Sequence, residues 1–318
     1  MAQWTIVITE PIHESGIKLI TDAGHRIICL QSGSNEAELL RLAPETDAFI
    51  TRGMIKISRE IMAASPRLNV IGVHGIGCDH VDLHAAKELG KVVLNTPDAL
   101  TVTVAEMAIA LVLALTRRVI IANTATRNGG WNRKYGDLVG VELAGKTVGV
   151  IGLGRIGEAT ARRLKPFGVN LLYWSRTRKP DVERQINIQY TDLTNLLQRS
   201  DIITLHIPGT PETYHIIGER ELASMKPNAL LVNVSRGNLI DERHLVTALL
   251  SGRLAGVALD VFENEPLNLD NPLIGMNNVI LTPHLAASCK EALARMATQI
   301  AESVISVLNG KAAENRII

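Results

Sequence analysis

The amino-acid sequence predicts an α/β protein that consists of two doubly wound domains, each with a mainly parallel β-sheet. Strand and helix patterns alternate along nearly the whole chain, which is typical of parallel sheets covered by helices. The chain has 318 residues, about twice the usual size of a single core. Hydrophobic residues make up 46% and charged residues 20%, which is the balance of a globular protein.

Short strands and helices alternate in the first part of the chain, before the break at Pro97. Apolar runs predict the strands, and apolar residues three or four positions apart predict the helices, two of which end at Gly24 and Pro44. The predicted strands are Trp4–Thr9, Arg26–Leu30, Ala48–Thr51, Val70–Val73 and Val92–Asn95. The predicted helices are His13–Ala23, Glu36–Leu42 and Ser58–Ala64.

A second series of strands begins after Lys146. Its predicted strands are Thr147–Ile151, Asn170–Trp174, Ile202–His206, Ala229–Asn233, Ala255–Leu259 and Asn278–Leu281. The segments around this series are predicted as a long helix over Val102–Asn123, an irregular segment over 128–144 and a last helix over Lys290–Leu308.

This order of elements predicts that one domain is inserted into the other. We assign residues 99–285 to the inserted domain and residues 1–98 plus 286–318 to the domain that receives it. Two crossings of the chain between domains predict a hinge, and a hinged cleft is a natural place for a substrate.

Charge and cysteine content exclude several classes of protein. The net charge is +1 and no long Lys/Arg block occurs, so we expect neither nucleic-acid binding nor attraction to anionic membranes. Cys29, Cys78 and Cys289 form no CxxC pair, which predicts reduced thiols in a cytoplasmic protein. The apolar stretch Val104–Leu115 is too short to span a bilayer, and Met1–Glu10 has the pattern of a strand rather than of a signal peptide.

A glycine-rich turn at 152–157 lies between a predicted strand and a predicted helix, the context that gives this motif its meaning. Gly152 permits the tight turn, Gly154 lets a pyrophosphate approach the backbone, and Gly157 allows close packing of helix and strand. Arg155 and Ile156 belong to this turn, and the predicted helix Glu158–Leu164 follows it, with free N–H groups at its N-terminus that attract phosphates. The sequence therefore predicts a Rossmann dinucleotide domain inserted into a flavodoxin-like substrate domain.

The end of the next strand indicates which dinucleotide binds. A carboxylate about 20 residues beyond the glycines would bind the ribose 2′-hydroxyl of NAD. This position holds Ser175, followed by Arg176 and Thr177, and no carboxylate occurs until Asp181, beyond Pro180. Hydroxyl and guanidinium groups bind a 2′-phosphate that a carboxylate repels. The residues favour NADP as the cofactor, with NAD as the alternative.

Three titratable or charged residues each follow a strand of the inserted domain. Arg236, Glu265 and His284 are expected in one crevice, because ligands of open parallel sheets sit at the carboxyl ends of the strands. His284 can donate the proton that reduction of a ketone needs, and Glu265 would favour its protonated form. Arg236 can bind a carboxylate and polarise the adjacent carbonyl group. No metal is predicted, since His284 lacks a second histidine at ligand spacing.

These motifs resemble the D-isomer-specific 2-hydroxyacid dehydrogenase family over nearly the whole chain. The matching stretches are 225–266, 282–286 and 206–213. The resemblance implies that Arg236 binds the substrate carboxylate, that His284 is the acid/base and that Glu265 is its partner. It also implies a homodimer, built by the long helix from Val102 and the segment near Trp131.

Further contacts are expected around these residues. Asp260 is implied to bind the nicotinamide carboxamide. The other residues expected to contact the cofactor are His206, Pro208, Thr213 and Val234. The residues expected to contact the substrate are Arg52 and Met54, which follow a strand, and Gly75, Ile76 and Gly77, which resemble the family's carboxylate-binding loop.

The predicted reaction is hydride transfer between NAD(P)H and a small 2-oxo acid to give a (D)-2-hydroxy acid, with glyoxylate and hydroxypyruvate as lead substrates. Cys78 and His80 depart from the commoner form of the substrate loop, so other acids, including phosphoglycerate, remain alternatives. Formate or phosphite oxidation is disfavoured, because formate-type relatives carry an amide where Glu265 stands. A dinucleotide-sensing co-repressor is the alternative outside enzymes.

Overall fold

The computed structural model describes residues 3–31 and 33–318, so the start of the predicted first domain, at residues 1 and 2, lies outside the described residues. The chain divides into two units. The first unit comprises Met1–Leu100 and Ala287–Ile318, and the second comprises Thr101–Ala286. No helix among the described residues has the length and apolar character that a membrane span requires.

The first unit is built on a parallel sheet of five strands in the described residues, in the order β2-β1-β3-β4-β5. The strands are β1 (Thr5–Ile8), β2 (Arg26–Cys29), β3 (Ala48–Thr51), β4 (Val70–Val73) and β5 (Val92–Leu94). The helices are α1 (Glu14–Asp22), α2 (Glu36–Leu42), α3 (Arg59–Ala63), α4 (Leu83–Glu88) and α12 (Lys290–Leu308). This strand order is that of the flavodoxin-like fold.

Both faces of this sheet are covered, which explains why its central strands β1, β3 and β4 are buried along their whole length. Val7 and Phe49 contribute to the core on one face. Ile6 and Ile50 contribute to the other core, together with Ile300 of α12. The last helix of the chain is therefore an integral part of the first unit.

The second unit is built on a parallel sheet of seven strands in the described residues, in the order β12-β11-β10-β9-β6-β7-β8. The strands are β6 (Thr147–Ile151), β7 (Asn170–Trp174), β8 (Ile188–Tyr190), β9 (Ile202–Leu205), β10 (Ala229–Asn233), β11 (Leu254–Leu259) and β12 (Val279–Leu281). The helices are α5 (Thr101–Thr116), α6 (Val119–Arg127), α7 (Arg155–Leu164), α8 (Pro180–Ile186), α9 (Leu193–Arg199), α10 (Glu219–Ser224) and α11 (Glu242–Leu250).

The strand order of the second unit is that of a Rossmann domain with one further strand, β12, at its edge. The strand order reverses between β6 and β9, because β7 and β8 are added on one side of β6 and β9 to β12 on the other. Such a switch point is the place where open α/β sheets bind dinucleotides. The predicted fold class, with two doubly wound parallel sheets, is thus confirmed.

The prediction of one long helix over Val102–Asn123 was wrong. The helix α5 ends at Thr116, and α6 begins only after Arg118, whose backbone is left-handed with φ of 53°. The N–H of Val141 donates a 2.8 Å hydrogen bond to the Thr116 carbonyl oxygen. A distant segment therefore caps the helix end, an interaction that no local pattern indicates.

Several short elements of the structure were not predicted. They comprise the strand β8 and the helices α4, α8, α9, α10 and α11. Three of these helices begin at an aspartate whose carboxylate accepts a backbone N–H, namely Asp82, Asp192 and Asp241. Pro180 occupies the first position of α8. Helix-capping signals were thus present, but helices of six to nine residues are too short for a clear apolar periodicity.

Candidate active site

The glycine turn after β6 forms an open cradle. Gly152 has φ of +96°, and a Cβ there would lie 2.6 Å from the His206 carbonyl oxygen. A Cβ on Gly157 would lie 1.9 Å from the Gly152 carbonyl oxygen, so only glycine fits. A Cβ on Gly154, in contrast, would meet no atom within 4 Å. Open space before the N-terminus of α7, which starts at Arg155 and Ile156, fits a pyrophosphate.

The segment after β9 lies against this cradle. The Nε2 atom of His206 is 3.0 Å from the Thr204 hydroxyl oxygen, and burial lowers the pKa of His206 to about 3. The Thr213 hydroxyl donates a 2.7 Å hydrogen bond to the carbonyl oxygen of Pro208, which is exposed. His206 is therefore uncharged at neutral pH, and the Thr213 side chain closes the turn that presents Pro208.

The basic segment after β7 has an internal ion pair. Arg178 donates two hydrogen bonds of 2.8 Å to the carboxylate of Glu183, and the Tyr173 hydroxyl donates a third of 2.7 Å. The hydrogen bonds from Arg178 and Tyr173 lower the pKa of Glu183 to about 2. Arg178 is thus engaged by a carboxylate that the sequence did not connect to it.

Ser175 and Arg176 come before this ion pair. The Ser175 hydroxyl donates a 2.6 Å hydrogen bond to the Thr177 carbonyl oxygen, which closes the turn. Arg176 and Thr177 are exposed, and Ser175 is half-buried at the end of β7. The end of β7 therefore presents a hydroxyl and a guanidinium group, and no carboxylate stands at position 175.

His284 and Glu265 form a hydrogen-bonded pair, with 2.7 Å between His284 Nδ1 and Glu265 Oε2. The other carboxylate oxygen of Glu265 accepts the Phe262 N–H at 3.0 Å. The hydrogen bond to Glu265 raises the pKa of His284 although burial opposes protonation. Burial also opposes ionisation of Glu265, but the bonds from His284 and Phe262 outweigh it and lower the pKa of this carboxyl. With Nδ1 engaged, Nε2 is the nitrogen that can exchange a proton with a substrate.

Arg236 lies beside this pair, after β10. Its Nη1 donates a 2.7 Å hydrogen bond to the Ser235 carbonyl oxygen, and its own carbonyl oxygen accepts the Asn233 side-chain N–H at 2.7 Å. Besides the hydrogen bonds of the pair, the positive charge of Arg236 lowers the pKa of both Glu265 and His284. The three residues predicted from separate strand ends are thus brought together.

Asp260 holds the segment that carries His284. It is fully buried, and its carboxylate accepts hydrogen bonds from the Thr282 hydroxyl at 2.5 Å and from the N–H groups of Leu285 at 3.0 Å and Ala286 at 2.8 Å. Its carbonyl oxygen accepts the His284 N–H at 2.8 Å. Sequence reasoning considered only a cofactor contact for Asp260 and missed this bracing role. Val234 is buried beside the end of β10.

In the first unit, the loop after β3 is organised by Glu10, which sequence reasoning missed. The Glu10 carboxylate accepts the N–H groups of Arg52 at 2.7 Å, Met54 at 2.7 Å and Ile55 at 3.2 Å. The Arg52 guanidinium donates a 2.8 Å hydrogen bond to the Pro11 carbonyl oxygen, and the Met54 side chain is 83% exposed. Glu10 follows β1, so the rule that strand ends carry function could have found it.

The loop after β4 presents backbone N–H groups. His74 is buried, and burial together with the charge of Arg52 lowers its pKa to about 4. The Gly75 N–H donates to the Val73 carbonyl oxygen at 2.9 Å, whereas the N–H groups of Ile76 and Gly77 donate to no other described residue. Ile76 and Gly77 can therefore offer N–H groups to an anion.

The chain is similar to known proteins over nearly its whole length. A profile of the family described as D-isomer specific 2-hydroxyacid dehydrogenase, NAD binding domain, matches residues 109–286. The chain is 42% identical to the glyoxylate reductase of Thermofilum pendens, over 98% of this chain and 93% of that protein. It is also 42% identical to the D-3-phosphoglycerate dehydrogenase of Methanocaldococcus jannaschii over 98% of this chain, but it spans only 58% of that protein's length.

Two solved structures with different dinucleotides are similar to this chain. One is the NADPH-dependent glyoxylate/hydroxypyruvate reductase of Sinorhizobium meliloti in complex with NADP and malonate, with 31% identity and a TM-score of 0.88 over 99% of this chain and 97% of that one. The other is the NAD-dependent formate dehydrogenase of Staphylococcus aureus in complex with NAD, with 30% identity and a TM-score of 0.89 over 99% and 98%.

Proposed function

The chain belongs to the D-isomer-specific 2-hydroxyacid dehydrogenase family, and on this basis we propose that it reduces a small 2-oxo acid to a (D)-2-hydroxy acid. The observation that carries the proposal is the 2.7 Å hydrogen bond between His284 and Glu265 beside the guanidinium of Arg236. A hydrogen-bonded imidazole with a raised pKa is suited to donate a proton to a carbonyl oxygen.

Each residue of the set has a distinct task in the proposed reaction. Arg236 binds the substrate carboxylate and polarises the neighbouring carbonyl group. His284 donates a proton from Nε2 to the carbonyl oxygen, while Glu265 holds Nδ1 and stabilises the protonated ring. When bound, the reduced nicotinamide supplies the hydride that the carbonyl carbon receives. The reverse reaction needs His284 uncharged, so that Nε2 can accept the hydroxyl proton.

The dinucleotide is proposed to lie along the carboxyl ends of β6, β7, β9, β10 and β11. The residues assigned to it are Gly152, Gly154, Arg155, Ile156, Gly157, Ser175, Arg176, Thr177, His206, Pro208, Thr213, Val234 and Asp260. Support comes from the open space at Gly154 and from the close approach of the Gly152 turn to the His206 backbone.

Substitution of His284 tests the proposed acid. We expect His284→Ala to lower kcat for 2-oxo acid reduction at least about 100-fold, since general acid catalysis contributes about 10²–10⁴-fold. The dissociation constant of the dinucleotide, measured by nicotinamide fluorescence, should stay within about twofold of wild type, because His284 is assigned to the substrate and not to the dinucleotide. Equal losses of turnover and dinucleotide binding would contradict the assignment.

Glyoxylate and hydroxypyruvate are the proposed substrates. Support comes from the similarity to proteins named glyoxylate reductase and from the loop of Arg52 and Met54. This loop is held by the carboxylate of Glu10. The negative charge of this carboxylate would repel the phosphate group of a phosphorylated acid, which disfavours such a substrate. Phosphoglycerate remains the alternative because one relative is a D-3-phosphoglycerate dehydrogenase.

Initial rates with glyoxylate, hydroxypyruvate, pyruvate, phenylpyruvate and 3-phosphohydroxypyruvate separate these substrates. We expect the highest kcat/KM with one of the two unphosphorylated lead acids. A preference for the phosphorylated acid would replace the substrate assignment but keep the reaction class. Dinucleotide binding without turnover of any acid would favour the sensor alternative.

NADP is the proposed cofactor. Ser175 and Arg176 stand at the end of β7, where NAD-specific domains place a carboxylate, and Arg178 is engaged by Glu183. Arg176 is therefore the guanidinium that we assign to the 2′-phosphate, with Ser175 and Thr177 beside it.

The variant Ser175→Asp tests the cofactor assignment. A carboxylate at this position repels a 2′-phosphate, so the ratio of kcat/KM with NADPH to that with NADH should fall at least about tenfold. The control variant Ser175→Asn introduces a side chain of the same shape as aspartate but without its charge, and it should change the ratio much less. An unchanged ratio in Ser175→Asp would remove the basis for NADP.

A homodimer is the proposed assembly. The second unit exposes several apolar side chains on α6 and on the segment that follows it. These side chains form the apolar patch, defined as Val119, Ile120, Trp131, Tyr135, Val139 and Val141. Exposed apolar patches of this kind mark interaction sites. The resemblance to the dehydrogenase family supports a second copy of the chain as the partner that would cover it.

A further inference from the structure

His215 is an unusual residue outside the catalytic set. Its backbone is left-handed, with φ of 50°, a conformation that is uncommon for residues other than glycine. The Tyr214 ring stacks on its imidazole with 3.9 Å between ring centroids, and its N–H donates a 2.8 Å hydrogen bond to the Asn238 carbonyl oxygen. The stacking thus restrains the ring, and the hydrogen bond restrains the backbone of His215.

The imidazole of His215 points at two carboxylates. Its Nε2 is hydrogen-bonded to Oε1 of Glu263, and its Nδ1 lies 3.6 Å from Oδ2 of Asp241. Oδ2 of Asp241 also lies 2.8 Å from Nδ1 of His244, whose Nε2 lies 3.5 Å from Glu219. Among these groups, only His215 contacts the segment that carries the catalytic carboxylate.

Glu263 lies two residues before Glu265 and is held along its whole length. Its N–H donates a 2.7 Å hydrogen bond to the Glu242 carboxylate, and its own Oε2 accepts the Glu242 N–H at 3.4 Å. A Cβ on Gly237 would lie 1.9 Å from the Phe262 carbonyl carbon, so the backbone after Arg236 packs directly on this peptide. The segment 262–265 is therefore fixed by three neighbours, of which His215 is the one from the loop after β9.

The contact joins loops that are not neighbours in the sheet. His215 lies on the loop after β9, which carries the proposed cofactor residues, and Glu263 lies on the loop after β11. The strand β10 stands between them, and its own loop carries Arg236. A hydrogen bond between His215 and Glu263 thus spans the active-site edge of the second unit.

We propose that His215 is a positioning residue, which through its hydrogen bond to Glu263 fixes the segment 262–265 and thereby holds the Glu265 carboxylate against His284. The inference rests on the proposed function for its catalytic meaning. The Phe262 N–H that binds Glu265 at 3.0 Å belongs to the same segment, so a shift of Glu263 moves both the carboxylate and its backbone donor.

The variants His215→Asn and Glu263→Ala test this proposal. Asparagine tolerates the left-handed backbone but is too short to reach Glu263, and alanine at 263 removes the acceptor. We expect each variant to lower kcat for 2-oxo acid reduction about tenfold, within the hundredfold that a misplacement of about 1 Å can cost. Dinucleotide affinity should change less than about twofold.

The titration of His284 gives the decisive measurement, because a merely structural role would leave it unmoved. Glu265, Arg236 and Asp260 are the charged groups that act on His284, and the hydrogen bond to Glu265 is the largest influence that raises its pKa. A displaced Glu265 therefore lowers the pKa of His284. The ring signal of His284 can be followed by NMR over a range of pH. It is assigned as the one of nine histidine signals that is lost in His284→Ala.

Two matched variants complete the experiment. Glu263→Gln keeps an oxygen that can accept from His215 and gives up only the long 3.4 Å bond from the Glu242 N–H, so it should restore most of the turnover and of the His284 titration that Glu263→Ala loses. His244→Ala removes a histidine that contacts Asp241 and Glu219 but not Glu263, and it should behave like wild type. Melting temperatures of all variants identify any that are merely unstable.

The outcomes separate a positioning role of His215 from a merely structural one. A lowered His284 pKa in His215→Asn and Glu263→Ala, with rescue by Glu263→Gln, supports the positioning role. An unmoved His284 titration in both variants overturns it, whatever happens to turnover. If the wild-type protein reduces no 2-oxo acid while the titration still moves, the proposed function fails and the positioning role stands.

Discussion

At the scale of single residues, the His284–Glu265 pair controls how the site responds to pH. The pKa of His284 is raised from 6.5, so its contribution to stability is present below pH 6.5 and is lost as the pH rises through the raised value. The pKa of Glu265 is lowered from 4.5, so its contribution is present above pH 4.5 and is lost as the pH falls through the lowered value. Both contributions to stability are therefore fully present between pH 4.5 and pH 6.5.

The variant Glu265→Gln should shift the pH dependence of reduction. Without the carboxylate, the charged form of His284 loses its main stabilising partner and its pKa falls. The decline of kcat/KM on the alkaline side should therefore begin at a lower pH than in wild type, while oxidation of the hydroxy acid should persist to lower pH. Initial rates in both directions from pH 5 to 10 measure the shift. An alkaline limb that stays in place would show that Glu265 does not tune His284.

Sequence analysis singled out the candidate catalytic residues more readily than the residues that support them. Arg236, Glu265 and His284 could be predicted because each follows a strand, and parallel strands end at one edge. The bracing by Asp260 could not, because its hydrogen-bond partners lie 22 to 26 residues away and are brought to it only by folding. The same holds for His215 and Glu263, which are 48 residues apart.

At the scale of secondary-structure elements, the turn between β6 and α7 separates two roles of glycine. Gly157 has no room for a side chain, since a Cβ would lie 1.9 Å from the Gly152 carbonyl oxygen. Gly154 faces open space and has φ of −76°, which alanine adopts without strain. The first glycine serves packing, and the second is free to serve a ligand.

Alanine at Gly157 should therefore lower the stability of the protein, whereas alanine at Gly154 should lower its affinity for the dinucleotide. Gly157→Ala should destabilise the protein by about 1–3 kcal/mol through overpacking, seen as a lower melting temperature in calorimetry. Gly154→Ala should keep the melting temperature and weaken dinucleotide binding at least about tenfold, because its methyl group occupies the space assigned to the pyrophosphate. Undiminished dinucleotide affinity in Gly154→Ala would contradict the assigned position of the phosphates.

Elements were predicted well where they form a distinct apolar run. They were predicted poorly where a segment distant in sequence sets their ends. The strands β6 and β10 have the predicted bounds, because a strand buried on both faces is a distinct apolar run. The break between α5 and α6 was missed, since the segment at Val141 that caps Thr116 is remote in sequence.

At the scale of the whole molecule, the apolar patch is the feature that bears on assembly. Trp131 is 63% exposed and Tyr135 is 79% exposed, and a groove of about 310 Å³ lined by Ile120 and Val139 lies in the same region. A second copy of the chain that covers this patch would remove a large apolar surface from water.

The variant Trp131→Asp should convert the proposed dimer into a monomer, because a charge in the centre of an apolar interface lacks a partner. Sedimentation velocity should then give a mass near the 34.5 kDa of one chain instead of twice that value. Leu269→Asp changes a residue that is 90% exposed outside the patch and should leave the mass unchanged. A wild-type protein that sediments as a monomer would refute the dimer.

The amino-acid sequence by itself determined the fold class, the glycine cradle and the identity of the three catalytic candidates. These features depend on local apolar patterns and on residues at strand ends, which are readable along the chain. The tertiary structure decided which groups are engaged and which are available. Arg178 is bound by Glu183, Asp260 braces the His284 segment, and His215 reaches Glu263. The physical reason is that a hydrogen bond between side chains needs its donor and acceptor atoms about 2.7–3.2 Å apart, and only folding brings these distant segments that close.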